Sequence, residues 1–140
     1  MIHLYSRKIL IKESAKELLP GYLRFVKGVV DCEDISLNIS RETYQDSSKI
    51  ANLRNILTKR ILRALADEMN RDLDKYNRWY NEFQHFLKEG IATDNDNKEL
   101  LIKLIRYGGN WTEDSISIDE YVAKMKPEQK KIYYIVVTPG

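Results

Sequence analysis

Two stretches of helical periodicity, set back to back in the middle of the chain, constrain its fold more than any other feature. Ile50, Leu53, Ile56, Leu57, Ile61, Leu65 and Met69 recur at three- and four-residue steps, the stripe of an amphipathic helix that must bury one side. Ser40 is a suitable cap and Glu42 suits the positive end of the helix dipole, so this helix is expected from near Arg41 to about Asn70. Residues 72–89 repeat the pattern with Tyr76, Trp79, Tyr80, Phe83, Phe86 and Leu87, and Gly90 is placed to end the run. Rings at this spacing either pack a core or offer a stacking platform for bases, and packing is the ordinary outcome. A third helix is expected over 94–107 and a short one within Ser115–Met125.

Strand signals are confined to the two ends. Ile2–Ile11 reads as a strand, and Arg24–Val30 as a second, with Gly28 suited to a bulge or a close backbone approach. Ile132-Tyr133-Tyr134-Ile135-Val136-Val137 reads as a buried strand. Such a strand needs neighbours, and few strands are visible, so the sequence is expected to be cut from a longer chain whose other strands complete its sheets. The fold class that follows is α+β, predominantly helical.

Composition narrows the function. Against 21 Asp and Glu stand 23 Lys and Arg, a net charge of +2, which lacks the basic excess of electrostatic nucleic-acid binders. The single cysteine, Cys32, excludes an internal disulfide. No apolar run approaches the roughly 18 residues of a membrane span.

The densest polar stretch, Asp31 to Glu42, joins the second strand to the first long helix, a junction where functional residues concentrate. Asp31, Glu33 and Asp34 lack the further oxygen ligands a hard cation would require, so no metal site is expected. Arg41 and Gln45 are four apart and leave one face of a helix that starts at its expected cap. A guanidinium fork beside an amide suits a phosphate oxygen; equally, Arg41 can pair with Glu33, Asp34 or Glu42 at the surface. Spacing leaves both readings open. His3 and His85 are far apart, Cys32 has no local histidine, and no phosphate-binding glycine loop is present. His85, within the aromatic helix, is read as a partly buried structural residue.

Leu19-Pro20, Tyr22 to Asp31 and Glu33 to Glu42 resemble the middle domain of the heat-shock protein 90 chaperones. The similarity continues through Asn52-Leu53-Arg54, Lys88-Glu89-Gly90, Leu104-Ile105-Arg106-Tyr107, Glu120-Tyr121-Val122 and Ile132-Tyr133-Tyr134, covering nearly the whole chain. Leu4 to Ile11 and Gly90-Ile91-Ala92-Thr93 look most like the mitochondrial branch of that family, the tumour-necrosis-factor-receptor-associated chaperones. The resemblance therefore implies the mitochondrial matrix, with the cytoplasm as the alternative.

The resemblance implies an organisation: residues 1–47 as the C-terminal part of a large α/β subdomain with its catalytic loop, 48–112 as a helical connector, and 113–140 as the start of a small α/β subdomain. In that family the middle domain lends an arginine and a glutamine to the terminal phosphate of ATP, which is held with Mg in a separate N-terminal domain. The matching positions are Arg41 and Gln45, and Asn38 and Ser40 match the loop that supports the arginine. Client proteins, the nucleotide-binding domain and a second copy in a homodimer are the implied partners, with protein folding and the stress response as the setting. No ATP hydrolysis is expected of this segment alone. Cys32 stands where serine is usual, Ser36 where proline is common, and Thr43-Tyr44 where apolar residues separate the arginine from the glutamine. A nonenzymatic helical interaction module is the competing reading, and it requires the aromatic stripe to be exposed.

Overall fold

A computed structural model of the chain describes residues 1–33, 47–110 and 115–138. Helices dominate: α1 (Ser47–Arg71), α2 (Leu73–Thr93), α3 (Lys98–Lys103) and α4 (Ile118–Ala123), with three short strands, β1 (Ile2–Ser6), β2 (Ile9–Lys12) and β3 (Gly28–Asp31). The α+β, predominantly helical class expected from the sequence is the one observed.

The opening strand differs in detail from expectation, because Ile2–Ile11 is a hairpin. Ser6 pairs with Ile9 across a two-residue turn, and both turn residues, Arg7 (φ 49°) and Lys8 (φ 66°), are left-handed. This turn matches the twist of the strands it joins but usually recruits Asn or Gly, so Arg-Lys conceals it. The Asp31 carboxylate accepts the Lys8 backbone N–H at 3.0 Å and ties the turn to β3. The sheet order is β2-β1-β3, antiparallel between β1 and β2 and parallel between β1 and β3. The second expected strand shrinks to Gly28–Asp31, since Gly21–Leu23 forms a 3-10 turn and Phe25 and Val26 pack against the core instead. A Cβ on Gly28 would meet nothing within 4 Å, so its φ of 157°, not a close approach, accounts for the glycine there.

Ile2, Leu4 and Ser6 of β1 point inward, as alternation requires, and Ile2 and Leu4 join one core with Leu18, Tyr22 and Leu23 from the 3-10 segments, Leu62, Tyr76, Leu87 and Leu101 from the helices, and Leu104 from the turn after α3. Each fully buried leucine contributes roughly 1.5–3 kcal/mol of hydrophobic stabilisation. α1 and α2 are separated by Asp72 alone, which leaves helical geometry (φ −147°, ψ 86°) and whose carboxylate accepts the Lys75 N–H at 3.1 Å. That cap lets one helix stop and the next begin without glycine or proline.

Gly90 does not end α2, which runs three residues further. The glycine is buried, and a Cβ on it would lie 2.9 Å from the Tyr22 ring and 3.0 Å from Leu101. It is a packing residue where the helix presses on the 3-10 turn. The third helix is shorter than its expected span of 94–107 because Asp94–Asn97 form the connecting turn, where the Asp94 carboxylate accepts the Asn97 N–H at 3.2 Å. α4 carries a capping box between Ser117 and Glu120.

The run Ile132–Val137 is not a strand: every residue is exposed, from 42% at Ile132 to 88% at Val136. A strand forms only against a ladder partner, and among the described residues none lies beside it. Among the described residues its backbone is tied by the Tyr133 N–H, which donates to the Tyr121 hydroxyl at 3.3 Å.

Candidate functional site

The residues singled out from the sequence, Asn38, Ser40, Arg41 and Gln45, lie outside the described residues, as does the expected helix start near Arg41. Their flanks are described. Upstream, β3 runs parallel to β1 and the Cys32 N–H donates to the Tyr5 carbonyl at 2.9 Å, extending the ladder past the last strand residue. Downstream, α1 is helical from Ser47, two positions after Gln45. The interval between them therefore joins a parallel strand to the first turn of a 25-residue helix. Asp31, one of the acids weighed as a cation ligand, is engaged by the Lys8 N–H. Among the described residues no group of His, Cys, Asp and Glu could hold a metal ion.

Beside the N-terminal half of α1 opens a polar groove of about 840 Å³, lined by Tyr22, Arg54, Thr58, Glu89, Asp94 and Asn97 among others. Its floor is set by the Pro20-Gly21 turn, which carries Tyr22 under α2. The Tyr22 hydroxyl donates to the Asp94 carboxylate at 2.6 Å, and Asn97 Nδ2 donates to the same oxygen at 2.8 Å. Burial, reinforced by the Asp94 carboxylate, pushes the Tyr22 phenol well above its ordinary range. Burial opposes the charge on Asp94, yet hydrogen bonds from Tyr22, Asn97 and the Asp96 backbone outweigh it and hold that carboxyl below its usual value. At the groove's edge Arg24 grips Glu89 through two parallel bonds of 2.9 Å, and its guanidinium lies 4.6 Å from the centre of the Phe86 ring. That hydrogen bonding lowers Glu89 and raises Arg24 further.

The groove residues were not found by sequence reasoning. Tyr22 sits in a run with the periodicity of neither a strand nor a helix, and Asp94-Asn95-Asp96-Asn97 reads as the start of a helix. The signal that could have found them is the Pro20-Gly21 punctuation together with an Asx-rich tract after a long helix.

The aromatic stripe is occupied with packing. Tyr76 and Tyr80 are buried, and Phe25 covers the half-buried Trp79, Phe83 and Phe86 at ring-centre distances of 5.7, 5.2 and 5.0 Å. The stripe is therefore no free platform for bases or for a partner. His85 is exposed rather than partly buried, its ring 4.1 Å from that of Phe86.

Compared with known proteins, residues 1–138 match the family model described as Hsp90 protein. The chain belongs to the Hsp90 family. It is 46% identical to the mitochondrial TNF receptor-associated protein 1 homolog of Dictyostelium discoideum, over 97% of this chain and 20% of that protein. It is 44% identical to the chaperone protein HtpG of Shigella dysenteriae and 43% identical to that of Escherichia coli, each over 96% of this chain and 22% of the relative. The chain thus spans about a fifth of the length of the curated relatives it matches. No helix among the described residues is long and apolar enough to cross a membrane.

Proposed function

We propose that this chain is the middle segment of an ATP-dependent molecular chaperone. Its catalytic contribution is to lend Arg41 and Gln45 to the terminal phosphate of a nucleotide held with Mg in a separate N-terminal domain. The observation that carries this reading is the Hsp90 match over residues 1–138, with an arginine and a glutamine four residues apart just upstream of α1. ATP supplies the phosphoanhydride bond. The Arg41 guanidinium, permanently charged and forked, neutralises developing charge on the phosphoryl oxygens, and the Gln45 amide hydrogen-bonds beside it. Asn38 and Ser40 support the loop that aims the arginine. In this reading residues 1–47 complete a large α/β subdomain, 48–112 connect, and 113–140 open a small α/β subdomain that supplies a ladder partner for Ile132–Val137.

Client proteins and a second copy of the full chaperone are the partners this reading carries. A relative named as mitochondrial supports the mitochondrial matrix, with the cytoplasm as the alternative. The deciding experiment is Arg41→Ala in the full-length protein, with nucleotide affinity and turnover measured separately. Retained affinity with turnover reduced by at least about tenfold is expected, since phosphoryl-transfer arginines contribute about 10³–10⁵ in rate in the strongest cases. Unchanged turnover would return Arg41 to a structural role.

A further inference from the structure

The first twenty residues of α1, Ser47 to Ala66, hold Lys49, Arg54, Lys59, Arg60 and Arg63 and not one Asp or Glu. The whole chain is only +2, so everything outside this stretch is net acidic. The charge is also ordered. Lys49, Asn52, Ile56, Arg60, Arg63 and Asp67 are all exposed and follow one another at three- and four-residue steps, which places them in one stripe on the side of α1 away from the core. Lys59 flanks the stripe and is half-buried. From Lys49 to Asp67 the stripe is about 27 Å long at the α-helical rise.

This arrangement works against the helix that bears it. Lys59 and Arg63 repel one turn apart, as do Arg60 and Arg63. Among the described residues Lys59, Arg60 and Arg63 form no ion pair, whereas a few residues on Glu68 takes both Arg71 and Lys75. At the centre of the cations Ile56 is 52% exposed.

We infer that the outward face of α1 docks an acidic, amphipathic segment of a separate polypeptide, its carboxylates meeting Arg60, Arg63 and Lys59 and an apolar side chain covering Ile56. Charge complementarity selects the acid, and the exposed isoleucine selects a partner with an apolar stripe of its own. A small anion is not the fit, because the cations are strung along a convex helix and do not converge on one point. Nucleic acid is a poorer fit, because the rings that would stack bases are packed between α2 and Phe25. A membrane surface would need more than one apolar side chain. The inference does not depend on Arg41 or on nucleotide.

The test uses full-length protein and a labelled peptide of about 20 residues carrying Glu and Leu at helical spacing, long enough to span the stripe. Arg60→Glu with Arg63→Glu should weaken binding at least about tenfold at low salt, and reversing the exposed Lys130 and Lys131 should change it less than about twofold. Asp67→Asn, which removes the one negative charge on the stripe, should tighten binding about two- to threefold, a gain that misfolding cannot imitate. Ile56→Ser should weaken binding at high salt as well, where charge is screened. The inference is overturned if the double reversal binds within about twofold of the parent, if Asp67→Asn fails to tighten binding, or if a Glu-Ser peptide binds as well as the Glu-Leu one. Tighter binding of oligothymidylate or of phosphatidylserine vesicles through the same arginines would reassign the surface and overturn it too.

Discussion

The Tyr22 hydroxyl sits 2.6 Å from the Asp94 carboxylate, joining residues 72 positions apart and fastening the turn after Pro20 to the end of α2. Asp94 also accepts the Asn97 backbone and side chain, so one carboxylate holds the 3-10 turn, the α2 terminus and the start of α3 together. Burial raises the phenol and hydrogen bonding lowers the carboxyl, which keeps the donor protonated and the acceptor charged across the neutral range.

Stability should fall at both ends of the pH scale. Asp94 and Glu120 have folded values below their ordinary 3.8 and 4.5, so the unfolded chain binds protons first as pH falls. Their contribution is present above those values and is lost as pH drops through the lower folded ones. Tyr22, Tyr76 and Tyr80 are raised above 10 by burial, so their contribution is present below pH 10 and is lost as pH climbs toward the folded values. Urea midpoints between pH 2.5 and 11 check this. Tyr22→Phe should cost about 1.5 kcal/mol at pH 7, the low end for a charge-assisted bond because Asp94 keeps some access to water. It should also blunt both limbs; a variant with unchanged acid and alkaline limbs contradicts the assignment.

Gly90→Ala should destabilise the chain although alanine is the better helix former. The added methyl would meet the Tyr22 ring at 2.9 Å and Leu101 at 3.0 Å. The ring cannot swing away while its hydroxyl is fastened to Asp94, and Leu101 is fully buried. Overpacking costs about 1–3 kcal/mol against about 1 kcal/mol of helix propensity gained, leaving a net loss of about 1 kcal/mol. The penalty should shrink in a Tyr22→Phe background, where the ring is free to shift. Equal penalties in both backgrounds would place the clash elsewhere.

What the sequence disclosed and what it hid divide along a physical line. The stripe from Ile50 to Met69 and the rings from Tyr76 to Leu87 were legible because each helix buries one side, and burial imposes a period. The β1–β2 turn was not legible, because Arg7 and Lys8 adopt left-handed geometry that the neighbouring Asp31 stabilises from 23 residues away. Gly90 was misread as a terminator for a related reason: a glycine demanded by a close approach looks the same as one demanded by a cap. Ile132–Val137 carries the apolar continuity of a buried strand, yet strand formation depends on a partner that a local pattern cannot supply. Of the candidate site, Arg41 and Gln45 were singled out by resemblance, since their spacing suits a surface ion pair equally well, and they lie outside the described residues; the groove beside α1 brings together residues 22, 54 and 94, which no local window contains.

Replacing Arg7-Lys8 with Asn-Gly should stabilise the hairpin. Both positions hold positive φ, at 49° and 66°, where a side chain with a Cβ costs about 1 kcal/mol. The Lys8 contact to Asp31 uses the backbone N–H, so the substitution keeps it. A gain of about 1 kcal/mol is expected, after allowing for the greater freedom glycine gives the unfolded chain, and a thermal midpoint several degrees higher checks it. A lower midpoint would mean that the Arg7 or Lys8 side chain matters more than the turn geometry.

Arg106 should prove the most sensitive polar residue outside the groove. Its side chain is 1% exposed, and its guanidinium divides between the Glu120 carboxylate, at 3.2 and 3.3 Å, and the Ser115 hydroxyl and carbonyl. Glu120 meanwhile closes the Ser117 capping box, so the same pair anchors α4 to the segment after α3. Arg106→Ala removes the fork and leaves buried acceptors unpaired, a loss of about 3 kcal/mol. Glu120→Gln should cost only about 1 kcal/mol, because that side chain is 44% exposed and water screens it. Arg106→Lys should rescue little, since a single ammonium cannot satisfy two diverging sets of acceptors. Hydrogen exchange gives a local readout: Tyr107 and Ile116 trade backbone bonds of 2.8 Å across the segment that Arg106 clamps. Their amides should exchange faster in Arg106→Ala than global destabilisation alone explains. If both keep the protection expected from the global loss, the guanidinium contributes only bulk stability and does not hold α4 in place.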